Sequence, residues 1–77
     1  MARDQVKKSI AVIGVGRVGL ALSLVLAKEG FEVVGVDIDE SRLQSLKDGK
    51  MPFLEEGAEK ILKEVYGNGF TVAHESA

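Results

Sequence analysis

Six consecutive residues, Gly14-Val15-Gly16-Arg17-Val18-Gly19, constrain this chain more than any other feature. They fit G-x-G-x-x-G and stand between two apolar segments of different character. Before them, Ile10-Ala11-Val12-Ile13 is a short run, largely β-branched, that suits a strand buried on both faces in a parallel sheet. After them, Val18 to Glu29 reads as a helix apolar on most sides, with Leu20, Leu22, Leu24, Val25 and Leu26. A helix with so little polar surface is expected to be covered by neighbours on several sides. In such a strand–turn–helix unit the first glycine allows a tight turn off the strand. The second removes a Cβ from the path of an approaching anion, and the third lets the helix lie close to the sheet.

The remainder alternates in the same way. Gly30 is placed to end the helix, and Phe31-Glu32-Val33-Val34-Gly35-Val36 forms a second strand closed by Asp37. Asp39 is a suitable N-cap for a short helix from Glu40 to about Lys47, which would bury Leu43 and Leu46. Asp48-Gly49-Lys50 makes a turn, and Pro52 blocks helix there. A helix is then predicted from about Leu54 to Tyr66, with Leu54, Ala58, Ile61, Leu62 and Val65 on one stripe. Gly67-Asn68-Gly69 ends it before a third strand, Phe70-Thr71-Val72-Ala73.

Strand, helix, strand, two helical pieces and strand make an α/β chain. The fold expected is a Rossmann-like βαβαβ half, a three-stranded parallel sheet with helices on its faces and the first strand at one side. Residues 1–8 are polar and aperiodic and read as a flexible N-terminus. Residues 9–77 read as the N-terminal part of a dinucleotide-binding domain, truncated before its second half. In that reading the first strand keeps an apolar, flat, unpaired edge, which either marks a longer protein or invites self-association.

Composition narrows the function. The 77 residues contain no Cys, so zinc ribbons, disulfide scaffolds and cysteine nucleophiles are excluded within the chain. Ten Lys and Arg against twelve Asp and Glu argue against a nucleic-acid binder. The longest apolar run is far short of a membrane span, and no signal peptide opens the chain, so a cytoplasmic place is expected.

The glycine loop and the helix it opens would cradle a pyrophosphate with backbone N–H groups and the positive end of the helix dipole. Asp37 stands about 20 residues further on, where a carboxylate accepts both ribose hydroxyls of an adenosine and repels a 2′-phosphate. NAD is therefore preferred over NADP. Arg17 sits unfavourably against the helix dipole unless an anion binds, and Arg42 could cover the adenine or ribose side. His74 reads as a solvated imidazole, and Glu55 with Glu56 as charges favouring a helix N-terminus. Tyr66 reads as a core residue at a helix end. No catalytic constellation and no metal-ligand spacing is present.

These residues resemble the NAD-binding N-terminus of the nucleotide-sugar dehydrogenases of the UDP-glucose/GDP-mannose type. The likeness runs from Ile10 to Leu20 and from Gly30 through Asp37 and Asp39 to Leu43. Its discriminating part is Leu46-Lys47-Asp48-Gly49-Lys50-Met51-Pro52-Phe53-Leu54-Glu55-Glu56-Gly57-Ala58, similar to the family's Gly, Pro, Glu-Pro-Gly-Leu segment. Arg17 stands where the family commonly has Tyr, Ala21 where it has Pro, Glu56 for the Pro of Glu-Pro-Gly and Ala58 for its Leu.

The resemblance implies a parent enzyme that oxidises the C6 alcohol of a nucleotide sugar to a carboxylate. It would use two NAD and a thiol-bound intermediate on a cysteine beyond this sequence. Cofactor residues that carry over are Gly14, Gly16 and Gly19 at the pyrophosphate, Val15, Arg17 and Val18 as loop backbone, Asp37 at the ribose and Arg42 beside it. Two alternatives stay open at this point. One is a nucleotide-sensing domain of the potassium-transport type, whose loop favours Gly-x-Gly-Arg-Val-Gly. The other is a dehydrogenase of the 6-phosphogluconate or 3-hydroxyacyl type.

Overall fold

The computed structural model describes residues 8–75; the expected flexible terminus lies, but for Lys8, outside them. The elements in chain order are β1 (Ser9–Ile13), α1 (Arg17–Lys28), β2 (Glu32–Asp37), α2 (Glu40–Lys47), α3 (Ala58–Val65) and β3 (Phe70–His74). All pairing is parallel, in the order β1-β2-β3. Ile10 aligns with Val33 and Phe70 across the sheet, and Val12 with Gly35 and Val72.

Burial alternates along the strands. Val33, Gly35, Asp37 and Phe70 are buried, while Ser9, Ala11, Ile13, Glu32, Val34, Thr71 and Ala73 are exposed. The helices therefore gather on one face. The reason is chirality: two successive right-handed crossovers stepping the same way leave both connections on the same side. The expectation that the first strand is buried on both faces is corrected accordingly, since Ile13 is 68% exposed.

The core lies between the sheet and the helices. Leu20, Leu24 and Ala27 of α1, Leu43 and Leu46 of α2, and Ala58, Leu62 and Val65 of α3 meet Val15, Val33 and Phe70. Tyr66 packs edge-to-face on Phe70, with ring centroids 5.9 Å apart. Helix α1 is less enclosed than its composition predicts: it packs on the sheet and on α3, and Val18, Leu22 and Val25 face outward.

Local signals set the helix ends. Helix α1 stops in a Schellman turn, with Gly30 N–H donating to Ala27 O and Phe31 N–H to Leu26 O, both at 3.1 Å. Asp39 caps α2 by accepting from Arg42 N–H at 3.1 Å. Helix α3 begins later than its stripe suggests. Gly57, with φ +79°, is its N-cap, and the residues before it are not helical, so Leu54 is 97% exposed and outside the stripe.

Candidate functional site

The loop from Gly14 to Gly19 joins the C-terminal end of β1 to α1 at the end of the sheet where β2 also finishes. Gly14 leaves the strand at φ +89°, a conformation that side chains with a Cβ rarely adopt, while its N–H donates to Val36 O. A Cβ on Gly19 would collide with the Gly14 carbonyl oxygen, so close helix–loop packing requires glycine there. Nothing lies within 4 Å of where a Gly16 Cβ would stand. Gly16 is the N-cap of α1 and offers no side-chain cap, so Arg17, Val18 and Gly19 present their N–H groups in the first turn without intrahelical acceptors. That turn also carries no acidic side chain. An anion is the partner it suits.

Asp37 ends β2 and is only 7% exposed. Its Oδ2 accepts from Val15 N–H at 2.9 Å and from Arg42 Nη1 at 3.0 Å, and its Oδ1 accepts from Asp39 N–H at 3.0 Å. Burial pushes the carboxyl's pKa up, but the N–H donors of Asp39, Val15 and Ile38 together with Arg42 outweigh it and hold the pKa below the usual carboxylate value. Asp39 is shifted the same way, chiefly by Arg42 N–H. Arg42 thus lies between two carboxylates, its Nη2 3.8 Å from Asp39 Oδ2.

The structure brings Gly14, Val15, Gly16, Arg17, Val18, Gly19, Asp37 and Arg42 to one end of the sheet, and it divides their labour differently from the motif. Val15 N–H already serves Asp37, and the Val15 side chain is fully buried in the core. The open amides are those of the first helical turn.

Sequence reasoning missed the part played by the segment between α2 and α3. Glu55 Oε1 lies 3.4 Å from Arg17 Nη1, and the Phe53 ring lies under both Arg17 and Arg42, with Cζ-to-centroid distances of 5.0 and 5.6 Å. Neither Glu55 nor Phe53 belongs to a periodic pattern, so no local signal pointed to a contact with the glycine loop. His74 is also better placed than expected. It is Asp37's register partner on β3, and its Nε2 stands 3.1 Å from Ile38 O and 3.6 Å from Glu40 Oε2. Among the described residues no group of three or more His, Cys, Asp or Glu could hold a metal ion, and no helix is long and apolar enough to cross a membrane.

A glycine loop opening a helix, with a carboxylate closing the next parallel strand, defines one mononucleotide-binding half of a dinucleotide-binding domain. The chain belongs to the UDP-glucose/GDP-mannose dehydrogenase family, at its NAD binding domain, whose profile matches residues 8–77. It is 44% identical over 69 residues to UDP-glucose 6-dehydrogenase TuaD of Bacillus subtilis, which covers 88% of this chain and 15% of that protein. It is 43% identical over 53 residues to UDP-N-acetyl-D-mannosamine dehydrogenase of Methanococcus aeolicus, covering 69% of this chain and 12% of that one. A UDP-glucose dehydrogenase structure from Pyrobaculum islandicum superposes with a TM-score of 0.86 at 30% identity, over 99% of this chain and 18% of the other. The chain thus spans less than a fifth of the length of each of these three relatives. These likenesses favour the nucleotide-sugar dehydrogenases over the potassium-transport sensor and the other dehydrogenase types, and NAD is the cofactor of the matched domain.

Proposed function

We propose that this chain holds the adenosine diphosphate part of NAD for an enzyme that oxidises the C6 alcohol of a nucleotide sugar to a carboxylate. NAD would supply the hydride acceptor. The residues of this chain would bind and orient it: the first-turn amides of α1 and the Gly14–Gly19 backbone at the pyrophosphate, and Asp37 at the adenosine ribose with Arg42 beside it.

The observation that carries this is the bond from Val15 N–H to Asp37 Oδ2, which holds Asp37 against the loop that would grip the diphosphate. A buried, ionised carboxylate accepts hydroxyl donors and disfavours a 2′-phosphate. The catalytic cysteine implied by the family resemblance is not among these 77 residues, so this chain by itself is expected to bind without turning over. The same proposal includes a cytoplasmic setting.

NMR titration of the chain with ADP-ribose and with its 2′-phosphate tests the reading. Amide shifts at Gly16, Arg17 and Val18 with the first ligand, and at least tenfold weaker binding of the second, are expected. Equal affinities would remove the assignment of Asp37 to the ribose, and turnover of UDP-glucose by this chain alone would contradict a purely binding role.

A further inference from the structure

Two ion pairs on the rim of the site share one aromatic ring. Arg42 reaches Asp37 at 3.0 Å and Arg17 reaches Glu55 at 3.4 Å, and both guanidinium groups lie over Phe53. Arg42 belongs to the ribose side and Arg17 to the phosphate loop. Phe53 belongs to neither, since it comes from the segment between α2 and α3. A guanidinium held over an aromatic face keeps its edge N–H groups free to donate in the ring plane's direction while one side is shielded from water. Arg17 lies nearer the ring, at 5.0 Å against 5.6 Å, but only 28% of the Arg42 side chain is exposed against 62% for Arg17, so the contact with Arg42 is the less screened by water.

We propose that Phe53 is a positioning residue of the dinucleotide site, holding Arg42 against Asp37 and joining that pair to Arg17 on the phosphate loop. This rests on the NAD reading above and extends it to selectivity. While Phe53 and Asp37 hold Arg42, its charge is engaged and a 2′-phosphate meets the Asp37 carboxylate. Without the ring, Arg42 is free to swing outward and receive that phosphate, so discrimination between the two cofactor forms falls.

The test compares the unmodified chain with Phe53→Leu and Phe53→Tyr by NMR titration of ADP-ribose and its 2′-phosphate. Leu keeps an apolar side chain without a π face; Tyr restores the face. The preference for ADP-ribose should fall at least threefold in Phe53→Leu and return to within twofold of the original in Phe53→Tyr, with amide dispersion preserved in both. In an Arg42→Gln background, Phe53→Leu should leave the preference unchanged, because the ring acts through Arg42. A preference unchanged in Phe53→Leu, or Tyr behaving as Leu does, would overturn the proposal while leaving the NAD reading intact. Failure of the unmodified chain to bind ADP-ribose would overturn the NAD reading and this proposal together.

Discussion

Val15 N–H donates to Asp37 Oδ2 at 2.9 Å, so the glycine loop and the acid at the end of β2 are one hydrogen-bonded unit before any ligand arrives. Asp37 consequently has two tasks that the motif states as one. In the proposed function it would offer oxygen lone pairs to a ribose, and it fixes the loop whose next residues open the helix N-terminus that would hold the diphosphate. Arg42 and Asp39 N–H also donate to it, which is why a carboxylate so buried stays ionised.

Replacing Asp37 separates these tasks. Asp37→Ala leaves Val15 N–H buried without an acceptor and Arg42 without its closest partner, which costs about 1–3 kcal/mol of stability. Asp37→Asn keeps an acceptor for Val15 and should cost less. Both should narrow the preference for ADP-ribose over its 2′-phosphate. Urea unfolding monitored by circular dichroism gives the first quantity and NMR titration the second; an Ala variant as stable as the parent would remove the clamp.

The same bonds predict a pH dependence. Folding lowers the Asp37 pKa below its ordinary value of 3.8, so the unfolded chain binds the proton more readily than the native one. The stabilisation from Asp37 is therefore complete above the ordinary carboxylate range and is lost as pH falls through the lowered native value. Asp39 acts in the same direction. Thermal unfolding between pH 7 and pH 2 should show a decline in midpoint at the acid end that is shallower in Asp37→Asn.

Gly19→Ala probes the packing of α1 on the loop. A Cβ there collides with the backbone carbonyl of Gly14, and neither group belongs to a flexible side chain that could step aside. The helix or the loop must shift, and overpacking of this kind costs about 1–3 kcal/mol. Gly16→Ala meets open space instead and should unfold at nearly the parent temperature, yet bind ADP-ribose more weakly. Equal effects of the two substitutions on stability would contradict this division of roles.

Much of the architecture is legible in the sequence because local and non-local signals agree. The β-branched run before Gly14, the cap at Asp39 and the stop at Gly30 each act within a few residues, and right-handed crossover then fixes the strand order. The start of α3 is not legible in this way. Leu54 fits the apolar period, but Gly57 takes a left-handed conformation that begins the helix after it. The contact of Phe53 and Glu55 with Arg17 joins positions far apart in the chain and has no periodic trace. The openness of α1 escapes composition for a different reason: Val18, Leu22 and Val25 are apolar whether or not something covers them.

Among the described residues, β1 pairs with β2 on one side and with no strand on the other. Glu32 N–H donates to Lys8 O, and Gly14 N–H to Val36 O, so the even-numbered residues of this strand pair with β2. The backbone groups of Ser9, Ala11 and Ile13 then point away from β2, toward the unpaired side, in a strand with no Pro and no charged side chain of its own. Such an edge accepts another strand, and in a solution of this chain alone a second copy is the available donor. Antiparallel pairing about Ala11 would place Ser9 opposite Ile13 of the other copy. Sedimentation should accordingly show a concentration-dependent dimer. Ile13→Lys, at a position 68% exposed, should weaken it at least tenfold while changing monomer stability by no more than about 0.5 kcal/mol. A strictly monomeric chain at millimolar concentration would show that the edge does not self-pair, and that any strand it takes must come from another polypeptide.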